Sequence, residues 1–183
     1  MKSKGIDWFY IICTTVAAFL LGTIFHFVYD LTGKSNLVGL IFPINESIWE
    51  HMKLVFYPMV ILWAVTLHRT HMSPPFRWQN RWLACLISVI IGILLTASLF
   101  YLFNCGFLAA SLFLDLMLYA ISMLIGQFHA TLLTFHATIP KWAGTLSIIL
   151  LIALAFLFAC FSLYPPELPI FTNTFLPSPK SRP

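Results

Sequence analysis

Four stretches of this chain are each apolar for the thickness of a lipid hydrocarbon core. They run from Trp8 to Tyr29, Trp82 to Phe103, Phe107 to about residue 128, and Trp142 to Tyr164, and Asp115 is the one Asp, Glu, Lys or Arg among them. A helix needs about 20 predominantly apolar residues to cross such a core. The rest of the chain cannot offset this apolar surface. Only 9% of the 183 residues are charged and 60% are hydrophobic, where a soluble domain carries about 25% charged residues. The chain is therefore expected to be an all-α integral membrane protein. The first run is too long for the core of a signal peptide and has no small-residue cleavage site behind it, so it reads as a retained helix.

A fifth crossing is less obvious. Leu54 to Leu67 is apolar for only 14 residues, roughly 21 Å of helix against a core about 30 Å thick. The nine residues before it read NESIWEHMK and hold Glu46, Glu50, His51 and Lys53. The helix can cross only if this charged stretch supplies its first turns. Ser47-Ile48-Trp49-Glu50 has the S-x-x-E form of a capping box. The expected spans are 8–29, 45–67, 82–103, 107–128 and 142–164, a five-helix bundle, with a proline-rich tail over 165–183 too broken for helix.

Basic residues orient the bundle. Lys2, Lys4, Arg69, Arg77, Arg81 and Lys141 all fall on one side of a five-span chain, while Lys34, Lys180 and Arg182 fall on the other. Positive residues mark the cytoplasmic side, so the N-terminus is expected inside and the C-terminus outside a cell (inner or plasma) membrane. His68 and His71, beside Arg69, read as a solvated cytoplasmic loop. Trp8, Trp78, Trp82 and Trp142 stand at span ends, where aromatic anchors belong.

Ionisable groups inside a bilayer are costly and face the bundle interior. His26 and Asp30 are four residues apart on the first helix, in line with the small residues Gly22, Ala18 and Thr15. Glu46, Glu50, Lys53 and Tyr57 form one stripe on the second helix, with Ser47 and His51 beside it. Ser111, Asp115, Tyr119, Ser122, Gly126 and His129 form one on the fourth. Topology places His26, Asp30, Glu46, Glu50, His51, Lys53 and Asp115 toward the outer end. A shared polar cluster among helices one, two and four is the expected arrangement. The third helix would pack on it through Ser88, Gly92 and Thr96, and the fifth would be peripheral. Pro58 is expected to free a carbonyl toward the cluster.

Four readings of the cluster stay open. Ion pairs could simply fix helix register, Glu50 with Lys53 being an i, i+3 pair. His26, Asp30, Glu46 and His51 could ligate a divalent metal such as zinc, with Glu50 and Asp115 as the catalytic carboxylates of a membrane-embedded hydrolase or transferase. Buried acids and His129 could carry protons or ions, although five spans lack an even internal repeat. The cluster could also bind a lipid headgroup, a peptide or a partner subunit. Membrane lipids are the expected partners. Nucleic acid is not, because there is no recognition motif and no basic face. Cys13, Cys85, Cys105 and Cys160 are scattered without C-x-x-C spacing and read as small apolar fillers. Gln127 reads as an interfacial residue.

The stretch FPINESIWEHMKLVFYPM resembles a family of small bacterial membrane proteins catalogued as a domain of unknown function, whose signature is P-x-N-E-S-x-W-E-H-x-K. Pro43, Asn45, Glu46, Ser47, Trp49, Glu50, His51, Lys53 and Pro58 carry the likeness, with His26, Tyr29, Asp30 and Gly33 in HFVYDLTG before it. The likeness covers residues 5 to about 170, and the tail after Pro165 and Pro166 departs from it. It implies a multi-span inner-membrane protein and no activity. Intramembrane metal hydrolases of the ceramidase type are a looser likeness. They have more spans and a late histidine pair, and only His129 is near such a position here.

Overall fold

The computed structural model describes residues 8–66, 77–107 and 111–173. Among them, five helices are long and apolar enough to cross a membrane. They are α1 (Trp8–Leu31), α2 (Ile48–Val65), α3 (Trp78–Phe100), α4 (Leu112–His136) and α5 (Lys141–Leu163). The described residues contain no strand. Lys2, Lys4, His68, Arg69, His71, Lys180 and Arg182 lie outside them.

The bundle is built inside out. The least apolar of the five, α2, has 56% of its 18 residues buried, while the most apolar, α5, has 22% of an 18-residue stretch buried. Helix α2 packs against α1 and α3, α3 against α4 and α5, and α1 against α4. Small residues allow the close approaches, as they do where helices pack without a hydrophobic drive between them. Thr15, Ala18 and Gly22 are all buried on α1. A Cβ on Gly126 of α4 would sit 2.6 Å from the Ser88 carbonyl oxygen of α3, so those two backbones touch.

Several boundaries differ from the sequence reading. The helical path of α3 does not end at the expected residue 103. It widens into a π-helical segment, Tyr101–Gly106, and α4 begins at Leu112 rather than Phe107. Helix α2 starts at Ile48, and its 18 residues make roughly 27 Å of helix. Ser47 is its N-cap, accepting from the Glu50 amide at 3.3 Å. The return half of the capping box is absent, because the Ser47 amide donates to Asn45 Oδ1 at 2.9 Å and Glu50 is committed elsewhere.

At the end of the bundle opposite the signature stretch, a polar knot replaces the expected surface residues. Gln127 is 2% exposed and accepts from the Trp63 indole at 2.8 Å. Arg81 is 3% exposed. It donates to the Trp63 carbonyl at 3.1 Å and to Thr66 Oγ1 at 2.8 Å, and its guanidinium lies 4.9 Å from the Trp63 ring centroid. Arg81 is thus a buried crosslink from α3 to α2, not a loop flank. The long aliphatic stem and planar fork of arginine suit that position.

The first part of the tail also has structure. Pro169–Phe171 form a short 3-10 turn. The Phe171 ring lies 5.0 Å from Trp49 and 5.6 Å from Phe161. The proline-rich segment therefore folds back onto the first turn of α2.

Candidate functional site

Two polar centres form where the signature stretch meets the ends of α1 and α5. The inner one is an ion pair. Lys53 is fully buried and its Nζ lies 2.8 Å from Glu50 Oε2, itself on a side chain only 2% exposed. Burying two charges is tolerated only when each has further partners. Both do. Glu50 Oε2 also accepts from the Ile44 amide at 3.0 Å, and Glu50 Oε1 accepts from Ser162 Oγ at 2.6 Å. Lys53 donates to the carbonyls of Gly39 and Phe42 at 2.7 and 3.4 Å. The Tyr57 hydroxyl adds a 3.3 Å bond to the Leu40 carbonyl. The centre ties the α1–α2 connection and α5 to α2. Ser162 carries no signal in the sequence beyond being a hydroxyl near the end of an apolar run. Helix α5, expected at the periphery, supplies it.

The outer centre is a set of three side chains. His26 Nε2 lies 3.6 Å from Glu46 Oε1, and His51 Nε2 lies 3.3 Å from Glu46 Oε2. The two imidazole rings are 5.5 Å apart. One ligand atom from each residue falls within 4.8 Å of the others, the arrangement of a potential cation site. These side chains are 30%, 47% and 32% exposed for His26, Glu46 and His51, so a small solute can reach them while the inner pair stays closed.

Hydrogen bonding fixes how His51 presents itself. Its Nδ1 is 2.9 Å from the Ser47 carbonyl. A carbonyl only accepts, so Nδ1 carries the hydrogen and Nε2 is the atom turned to Glu46. A bare Nε2 lone pair against a carboxylate oxygen is unfavourable. A cation between them, proton or metal, makes the contact attractive. The His51 hydrogen bond, with the nearby charges of His51 and His26, holds the Glu46 carboxyl below its ordinary value of 4.5, against the opposing effect of partial burial.

The remaining sequence candidates lie apart from this trio. Asp30 pairs with Lys34 at 3.5 Å, both side chains being 70% exposed. Lys34 on the turn after α1 is its partner, although helical spacing sets Asp30 one turn from His26. Asp115 accepts from Asn104 Nδ2 at 2.8 Å, joining the π segment to the first turn of α4. Helix α4 reaches α2 through Tyr119 instead, whose hydroxyl donates to the Leu54 carbonyl at 2.7 Å. His129 is exposed, with Nδ1 on the Ile125 carbonyl at 2.8 Å.

A family model described as "Family of unknown function (DUF6512)" matches residues 2–176. No curated protein and no solved structure matches the chain.

Proposed function

The chain belongs to the DUF6512 family of unknown function, and we propose that it is a multi-pass protein of the bacterial inner membrane that holds a divalent metal ion, zinc being the best fit, at the outer end of its bundle. His26, Glu46 and His51 are the ligands. One observation carries the reading: two histidine Nε2 atoms face the two oxygens of a single carboxylate, at 3.6 and 3.3 Å. Ligand atoms around a tetrahedral zinc with bonds near 2.1 Å stand about 3.4 Å apart. Each histidine–carboxylate spacing is close to that edge length, one to each oxygen of Glu46, and one ligand atom from each of the three lies within 4.8 Å of the others. The Nδ1–H of His51 on the Ser47 carbonyl is the outer-shell bond that metal-bound histidines make.

Two histidines and one carboxylate leave a coordination position open, as hydrolytic zinc sites do. Hydrolase or transferase chemistry at the membrane surface is the activity class this ligand set permits. Glu50 is not assigned as its base, because both of its oxygens are occupied by Lys53, Ser162 and the Ile44 amide. Asp115 is not assigned either, since its contact is Asn104. The outward orientation rests on the excess of basic residues on the other side of the bundle.

The test is metal titration of the full chain purified in detergent. Elemental analysis should find about one zinc or similar ion per chain, and cobalt(II) should give the visible absorption of a low-coordinate site. Protein that takes up no zinc, cobalt, iron or manganese after chelation and reloading would sink the reading.

A further inference from the structure

Resting on that metal reading, we infer that the C-terminal strap, residues 165–173, is part of the centre, and that Asn173 is the positioning residue for Glu46. The three ligands are not equally supported. His26 lies on α1 and His51 on α2, and helical hydrogen bonds fix both backbones. Glu46 precedes the N-cap Ser47 and lies outside any helix, so its backbone is not held by a helical ladder. Its amide finds one 127 positions away: it donates to Asn173 Oδ1 at 3.1 Å. The next residue, Ser47, pairs with Asn173 as a single antiparallel bridge. The Ser47 amide is held by Asn45 Oδ1. The carboxylate between the two histidines is therefore aimed by a residue from the far end of the chain.

The strap is itself anchored. Thr172 Oγ1 donates to the Pro169 carbonyl at 2.7 Å, tightening the 3-10 turn. Phe171 packs on Trp49 and Phe161. Trp49 stands on the first turn of α2, two residues before His51, and its ring lies tilted 4.8 Å from that of Phe158 of α5. One aromatic cluster thus fixes the strap and the first turn of α2 together. Proline at 165, 166 and 169 limits the conformations open to the strap, so less order is lost when it docks.

Outer-shell partners of metal ligands carry large effects: their loss costs about 10–100-fold in metal affinity. The experiment compares zinc affinity, by chelator competition, for the full-length wild type, Asn173→Ala and Asn173→Asp. Cobalt(II) absorption reports ligand geometry, and hydrogen exchange reports protection of the Glu46 amide. Asn173→Ala should lose roughly tenfold or more in affinity, alter the cobalt band and release the Glu46 amide to exchange, with the melting temperature nearly unchanged. Asn173→Asp, which keeps the acceptor, should hold zinc as the wild type does. Wild-type affinity and a protected Glu46 amide in Asn173→Ala overturn the positioning role while leaving the metal centre standing. A wild type that binds no metal overturns both. If Asn173→Ala does not fold, Phe171→Ala, which loosens the strap from Trp49, is read by the same three measurements.

Discussion

The hydroxyl of Tyr119 donates to the carbonyl oxygen of Leu54 at 2.7 Å, and that carbonyl is the one Pro58, four residues later, cannot serve. Proline lacks the amide that would close the turn. A side chain from α4 fills the vacancy, and the hydroxyl runs over Gly22 of α1, where a Cβ would collide with it and lie 2.8 Å from the Leu54 oxygen. Three helices meet at one hydrogen bond.

Tyr119→Phe leaves the Leu54 carbonyl buried without a donor. A loss of about 1–3 kcal/mol is expected, seen as a lower melting temperature in detergent. Gly22→Ala should destabilise more, and Tyr119→Phe should partly relieve it by removing the colliding oxygen. Strict additivity of the two in a double-mutant cycle would mean that the residues do not share this contact.

The inner ion pair makes a sharper prediction. Glu50→Ala or Lys53→Ala strands the other charge in the core and should cost about 3–5 kcal/mol. The double variant, Glu50→Gln with Lys53→Met, should be milder than either single alanine, because no charge is left uncompensated. Thermal denaturation ranks the three variants, and a double variant worse than both singles contradicts the pairing.

Ligand removal separates the candidates that share a face in sequence but not in space. His26→Ala and His51→Ala should each weaken zinc binding by at least about tenfold. Asp30→Asn and Asp115→Asn should leave it unchanged, as these groups pair with Lys34 and Asn104. Chelator competition on these four variants and the wild type decides the matter, and a strong effect of Asp30→Asn would redraw the ligand set.

The metal-free protein should show Glu46 in its acid response. Its folded pKa lies below the ordinary 4.5. Its stabilising contribution is therefore complete above the ordinary value and is lost as pH falls through the lower folded one. Between about pH 5 and pH 3 the melting temperature should fall less steeply in Glu46→Gln than in the wild type. Parallel curves would mean the clasp with His51 adds nothing to stability.

Four of the five long helices were legible from apolar runs of full spanning length, and the fifth, α2, from a 14-residue run that is too short to cross without the charged stretch before it. The capping serine was legible too, since Ser47 precedes the first apolar turn. Helical depth also set His26, Glu46 and His51 at one end. What the sequence concealed are choices among equally spaced partners. Spacing alone cannot tell that Asp30 turns to Lys34, or that Tyr119 rather than Asp115 crosses to α2. Ser162 and Asn173 are the larger omissions. A lone hydroxyl in an apolar run and an asparagine in a proline-rich tail carry no periodic signal, and their meaning comes from contacts 112 and 127 positions away. Arg81 misled for the opposite reason: charge beside a loop suggests water, yet its stem and fork are buried under Trp63.

The contact between Glu50 and Ser162 has a consequence for the order of synthesis. A growing chain presents Glu50 and Lys53 together, one turn apart, so they can neutralise each other as soon as α2 forms. Oxygen Oε1 must wait for 112 more residues to be made. All three proposed metal ligands lie within residues 26–51, and Asn173, the proposed support of Glu46, follows it by 127 positions. The proposed ligands are thus made early and the distant contacts of the signature stretch late: a chain stopped before residue 162 would carry His26, Glu46, Glu50 and His51 without Ser162 and Asn173.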